Sequence, residues 1–150
     1  MAEDREALLQ HYRRMREDLL AAINGLSEAQ MTERTLDGWS VKDHLLHLAF
    51  WDDLRAGEVE RISAGHASVW RITGAQDETI NAVVHEARLG ISVEQAQWEL
   101  GRSRQRFMDA LSAATERGLD GALYGEAGLR STHEAQHTGW IRRWRGERGY

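Results

Sequence analysis

Apolar side chains in this chain recur in steps of four and three, the repeat of an α-helix, and nowhere alternate over a useful length as a strand requires. Leu8, Tyr12, Met15, Leu19 and Ala22 form one such stripe within residues 3–24, with Glu, Asp and Arg on the other positions. The pair Asn24-Gly25 ends it. Ser27 to Gln30 can start a short helical turn. No proline interrupts any of these patterns.

Asp37-Gly38 marks a turn, and Ser40 followed by Asp43 reads as an N-cap with an acid in the first turn. Trp39, just before the cap, is placed to pack back onto the helix as a staple. This helix runs from about 41 to 63. Its first half, Val41 to Leu54, is apolar on nearly every side and is expected to be buried, whereas its second half turns polar. Residues 64–75 hold Gly65 and Gly74 and read as a connection. Ile80, Val83, Val84 and Ala87 suggest a shorter helix over 76–89, closed by Gly90. Ser92 to Gln95 then caps a helix in which Val93, Leu100, Phe107 and Ala114 stand seven apart, the pattern of bundle packing. Four glycines make 116–130 the least regular stretch. The last helix should start near 130 and carry His133, His137, Trp140, Ile141 and Trp144 on its inner face. The reading is all-α: one domain over 1–150, a four-helix bundle with a short additional helix.

Composition removes several classes of function. A net charge of −5 gives no electrostatic reason to expect nucleic acid as a partner, and the one basic cluster, Arg142, Arg143, Arg145 and Arg148, suits a helix C-terminus. No apolar run approaches the roughly 20 residues of a membrane-spanning helix. The N-terminus is charged from Glu3 onward, so no signal peptide is expected and the cytoplasm is the expected compartment. With no cysteine, disulfides, thiolate ligands and a cysteine nucleophile are excluded, and any thiol chemistry must use a thiol carried by the substrate.

Seven histidines are present, and His133 and His137 stand four apart on a helix, so both imidazoles can point at one ion. About 0.3 such pairs arise by chance in a chain of this composition, so the pair needs a third ligand to become a site. His47 shares a stripe with Trp51, Leu54 and Glu58. His44, about 60° round the helix, lies nearer the stripe of Leu48, Trp51 and Arg55. Both stand in the buried half, where a solitary histidine is more often a hydrogen-bonded core residue than a ligand, and spacing does not choose between them.

The run His133-Glu134-Ala135-Gln136-His137 matches the zinc-protease pattern with Glu134 as general base. Only thirteen residues follow His137, with no histidine and Glu147 as the sole acid, so the downstream ligand of such proteases is missing. Ser131 to Glu134 reads instead as a capping box. Glu58, on the His47 stripe, could orient a ligand or form a solvated salt bridge. Trp51 and Trp140 sit on the ligand-bearing stripes and could wall an apolar pocket over an ion, or simply pack in the core.

The run from Gly38 to Trp51 (GWSVKDHLLHLAFW) resembles the second-helix signature of the DinB/YfiT-like family, and His47 falls on the family's histidine. His44 falls where that family usually has an aliphatic residue. The pair His133 and His137 followed by Trp140, Ile141 and Arg142 resembles its last helix, and the stretches from Glu78 to Asn81 and Phe107 to Leu111 resemble its third-helix region. The resemblance covers most of residues 5–145. It implies an up-down-down-up bundle, for which the long connection 64–91 suits a parallel pair. It also implies a divalent metal on His47, His133 and His137, and often a homodimer. Several such proteins are metal-dependent thiol transferases or isomerases using a low-molecular-weight thiol, and many have no assigned activity. The glycine-rich segment before the last helix departs from better-known members at the pocket rim.

Three neutral imidazoles leave a divalent ion its full charge and an open position, a catalytic arrangement that suits Zn²⁺ or Ni²⁺. The expectation is a metal-dependent enzyme activating a small thiol, or else water. The other class is a metal-binding or stress-related protein without turnover.

Overall fold

The computed structural model describes residues 1–70 and 73–150, so residues 71 and 72 of the expected connection lie outside it. Six α-helices are present: α1 (Arg5–Ile23), α2 (Glu28–Thr32), α3 (Val41–Ser63), α4 (Gly74–Ala87), α5 (Val93–Ala113) and α6 (His133–Arg148). Short 3₁₀ turns, Arg117–Leu119 and Gly121–Ala127, occupy the glycine-rich stretch. Among the described residues no strand forms, and none of the helices is long and apolar enough to cross a membrane.

Caps set the starts of α2 and α3 where the sequence placed them, and Thr73 starts α4 two residues before the expected 76. Ser27, Ser40 and Thr73 each accept from the backbone N–H three residues on, and Gln30, Asp43 and Gln76 reach back to the cap N–H in reciprocal boxes. Trp39 does pack back onto α3, its ring lying 5.7 Å from that of His44, the fourth helical residue. At the other end of α3 the backbone of Gly118 comes so close to Ser63 that an added Cβ would lie 2.0 Å from its hydroxyl oxygen.

Helix direction follows from the registry of side-chain bonds. Lys42 at the start of α3 donates to the carbonyls of Leu89 and Ile91 just before α5, Asp53 pairs with Arg102, and Ser63 meets Thr115 just after α5. α3 and α5 therefore run parallel. Tyr12 donates to the Leu129 carbonyl, Arg16 pairs with Glu134 and Arg145 donates to the Ala22 carbonyl, so α1 and α6 are parallel too. Arg16 to Asp52 and Arg55 to Tyr12 run the other way, setting α1 against α3. The order is up-down-down-up, and α4 lies in the crossover that a parallel pair demands.

The core has two apolar layers. One joins Leu8, Tyr12, Met15, Ala56, Val59, Ile62, Phe107 and Leu111. The other joins Leu19, Val41, Leu45, Leu48, Val93, Leu100, Ile141 and Trp144. Between them each main helix contributes one charged side chain: Arg16, Asp52, Arg104 and Glu134, all buried. Arg16 and Arg104 both bond to both acids, and their spare N–H groups reach the carbonyls of Leu100 and Tyr12. Burial works against the Arg104 charge, but Asp52 and Glu134 outweigh it and raise its pKa.

Burial adds detail to the sequence reading at α3 and α4 and corrects it at Trp140. The second half of α3 is buried along one face, Glu58 included, because it packs between α1 and α5. The apolar residues of α4 are not buried; Val83 is 61% exposed, since α4 rests on the outside of the bundle. Trp140 does not face inward and is 43% exposed.

Candidate metal centre

α3 and α6 run antiparallel across the bundle, which brings the middle of one against the start of the other. Here His47 Nε2 lies 2.9 Å from His133 Nε2, and His137 Nε2 lies 3.0 Å from the same atom. Both spans fall inside the roughly 3.5 Å that two ligands of one zinc-sized ion can cover. The three residues are the one group of histidines and acids among the described residues whose ligand atoms all converge, within 4.8 Å of one another. No carboxylate joins them.

Burial pushes all three imidazoles toward the neutral form, and the other histidines of the cluster add to it at His47 and His137. His47 is lowered to about 3, His133 to about 4 and His137 to about 2, with Arg55 the next contributor at His133. Each therefore offers a lone pair at neutral pH, the form in which imidazole binds a metal. An unfolded histidine takes up its proton near pH 6.5. Between 6.5 and about 4 the unfolded chain of the metal-free protein therefore binds more protons than the folded one, and stability is lost as the pH falls through that window. Urea midpoints of metal-free protein should drop steadily from pH 7 to pH 5; a midpoint that stays flat would contradict this account.

His44 is not in the cluster but directly behind it. Its Nδ1 lies 2.6 Å from His137 Nδ1, and its Nε2 lies 3.2 and 3.1 Å from the two oxygens of Asp37. Thr35 donates to Asp37 as well. Burial opposes the Asp37 charge, but the bonds from His44 and Thr35 prevail and hold its pKa well below the ordinary value. The carboxylate requires an N–H from His44 Nε2. In a neutral His44 the Nδ1 is then an acceptor, and a His137 that donates to it from Nδ1 keeps its Nε2 bare toward the cluster. Such an outer bond fixes the tautomer of a ligating histidine. Asp37 was legible only as a turn residue, and nothing in the spacing linked it to His44.

Glu134 does not form a capping box. The α6 N-cap is Thr132 with no side-chain bond, and the His133 N–H goes to Ser131 Oγ. Both Glu134 oxygens are taken by Arg16 and Arg104, because two buried guanidiniums outcompete a backbone N–H for the carboxylate. The same bonds remove it as a general base. Glu58 is tied to Arg61, Ser68 and the Val69 N–H, a buried rather than solvated pairing.

A cavity of about 390 Å³ opens beside the cluster, lined by His133, Trp51, Arg55, Trp70, Tyr124 and Ser131 among others. Trp51 is fixed there by a 3.0 Å bond from its Nε1 to Asn81 of α4. Trp140 is not part of this lining; its ring sits edge-on to His137 at 4.8 Å, toward His44.

The family model of the DinB superfamily matches residues 11–141. The chain belongs to the DinB superfamily. Two solved structures share this chain's fold at low identity. An uncharacterised protein from Escherichia coli UTI89 has a TM-score of 0.76 at 15% identity, covering 97% of this chain and 94% of that one. An uncharacterized protein from Clostridium difficile 630 has a TM-score of 0.74 at 12% identity, covering 97% and 98%. No curated protein matches. Superfamily membership and the three-histidine cluster together fit a metal-binding DinB-like protein, with a divalent ion as the group the cluster suits.

Proposed function

We propose that this protein is a metal-dependent enzyme that holds Zn²⁺ or Ni²⁺ on His47, His133 and His137 and activates a low-molecular-weight thiol, or water, for attack on an electrophile. The observation that carries the reading is that three neutral Nε2 atoms converge without a carboxylate, and that one of the three residues, His133, lines a cavity. A divalent ion so held supplies Lewis acidity and lowers the pKa of a thiol or water. The chain's own part is to keep the imidazoles neutral by burial, to fix His137 through His44 and Asp37, and to shape the apolar wall with Trp51. A purely structural role for an ion is less favoured, because both apolar layers close without any of the three histidines. A homodimer belongs to the same reading on family resemblance, and size-exclusion with light scattering tests it.

Zinc-loaded and nickel-loaded protein should catalyse thiol addition to a maleimide or epoxide probe faster than metal-free protein. Far-UV helicity should persist after chelation. Chelation that unfolds the bundle, or equal rates with and without metal across a panel of thiols, would favour the non-catalytic alternative.

A further inference from the structure

The geometry points to a carboxylate subsite in the cavity beside His133, built from the Arg55 guanidinium and the Ser131 hydroxyl, for a substrate whose apolar body lies against Trp51 and Trp70. This deepens the metal-centre reading by naming the substrate class of the same cavity.

Arg55 is half-buried, and among the described residues no carboxylate comes within ion-pairing distance of it. Its two bonds go to neutral hydroxyls, 3.3 Å to Tyr12 Oη and 2.8 Å to Ser131 Oγ. These brace the side chain without balancing its charge, and they leave N–H groups unused. The buried quartet cannot balance it either, because Arg16 and Arg104 already equal Asp52 and Glu134.

Ser131 is the second half of the subsite. Its oxygen accepts from Arg55 and from the His133 N–H, and its own proton has no acceptor among the described residues. Tyr12, by contrast, is saturated: it donates to the Leu129 carbonyl and accepts from Arg55 and the Ser131 N–H. The cavity thus presents a guanidinium and one hydroxyl donor side by side, next to the first residue of α6.

The acids in the lining do not cancel this field. Glu58 is occupied by Arg61, Ser68 and Val69. Asp77, on α4, is the other acid of the lining, and among the described residues it makes no ion pair with Arg55. Neutral histidines add no negative charge, and a resident divalent ion would only increase the pull on an anion. A planar carboxylate matches a guanidinium with an adjacent donor, and indole walls suit an aromatic or aliphatic remainder.

The test compares 3-phenylpropanoate with its neutral amide by calorimetry on zinc-loaded protein, with zinc content measured on the same samples. Wild type should bind the acid at least about tenfold more tightly than the amide, as one charge-assisted pair allows. Arg55→Gln should abolish that preference while the amide affinity stays within about twofold. Arg55→Lys, which keeps the charge but not the fork, should retain part of it, and Ser131→Ala should reduce it. An acid preference that survives in Arg55→Gln would place the carboxylate on the ion and overturn the subsite while leaving the metal centre intact. No preference in wild type would overturn it as well. If the protein binds no zinc, the metal reading fails, yet the acid-over-amide preference and its loss in Arg55→Gln still decide the subsite.

Discussion

His47→Ala and His137→Ala should each reduce affinity for Zn²⁺ by more than about 100-fold. Loss of an outer partner alone typically costs 10–100-fold, and these substitutions delete a ligand. Elemental analysis of purified protein should find stoichiometric metal in wild type and almost none in either variant. The helical signal should hardly change, since neither histidine belongs to the two apolar layers. His44→Leu separates ligand from support. It removes the partner of His137 Nδ1, frees that imidazole to take either tautomer, and leaves Asp37 with Thr35 and the Trp39 N–H alone. Its affinity should fall by about 10–100-fold with stoichiometry retained at saturating zinc. Metal kept in full by both alanine variants would remove these residues as ligands. A His44→Leu protein with wild-type affinity would remove His44 from any part in orienting His137.

Glu134→Gln should lower the stability of the bundle by about 3–5 kcal/mol, the cost of breaking one partner out of a buried ionic cluster. Glu134 is only 3% exposed and accepts from both Arg16 and Arg104. The amide leaves two buried guanidiniums facing Asp52 alone and aims a new N–H₂ at them. For a domain of this size that is a fall in melting temperature on the order of 10 °C. Urea unfolding at pH 7 measures it directly. If Glu134 were instead a free catalytic base, the midpoint would not move and only turnover would suffer. The physics makes a second, opposite expectation: replacing all four charged residues together by apolar side chains of similar volume should cost little or even stabilise.

The ionic layer shows how far the sequence could be read. Its helices were legible because their stripes and caps are local. The four charges were not, although two of them interrupt a stripe: Arg104 falls between Leu100 and Phe107, and Asp52 between Leu48 and Ala56, at helical spacing. A single such residue is indistinguishable from one on a solvated face until the partner helices are known. The His133 and His137 pair was likewise local. His47 could be preferred to His44 only by resemblance, because the choice depends on which residue of α3 lies level with the start of α6. Asp37 and Arg55 were out of reach for the same reason, since their roles arise from side chains brought in from distant parts of the chain.

The crossover helix has a consequence for how the molecule opens. α4 buries no side chain, and it is held to the bundle largely by edge contacts: the Trp51–Asn81 bond, the stacking of Trp39 on His85, and His85 against Asp43. Its amide protons should exchange with solvent through local openings that leave both apolar layers untouched, whereas those of α3 must await global unfolding. The same openings would unroof one wall of the cavity beside His133. Bulky molecules could then reach the histidines at the cost of melting a single helix.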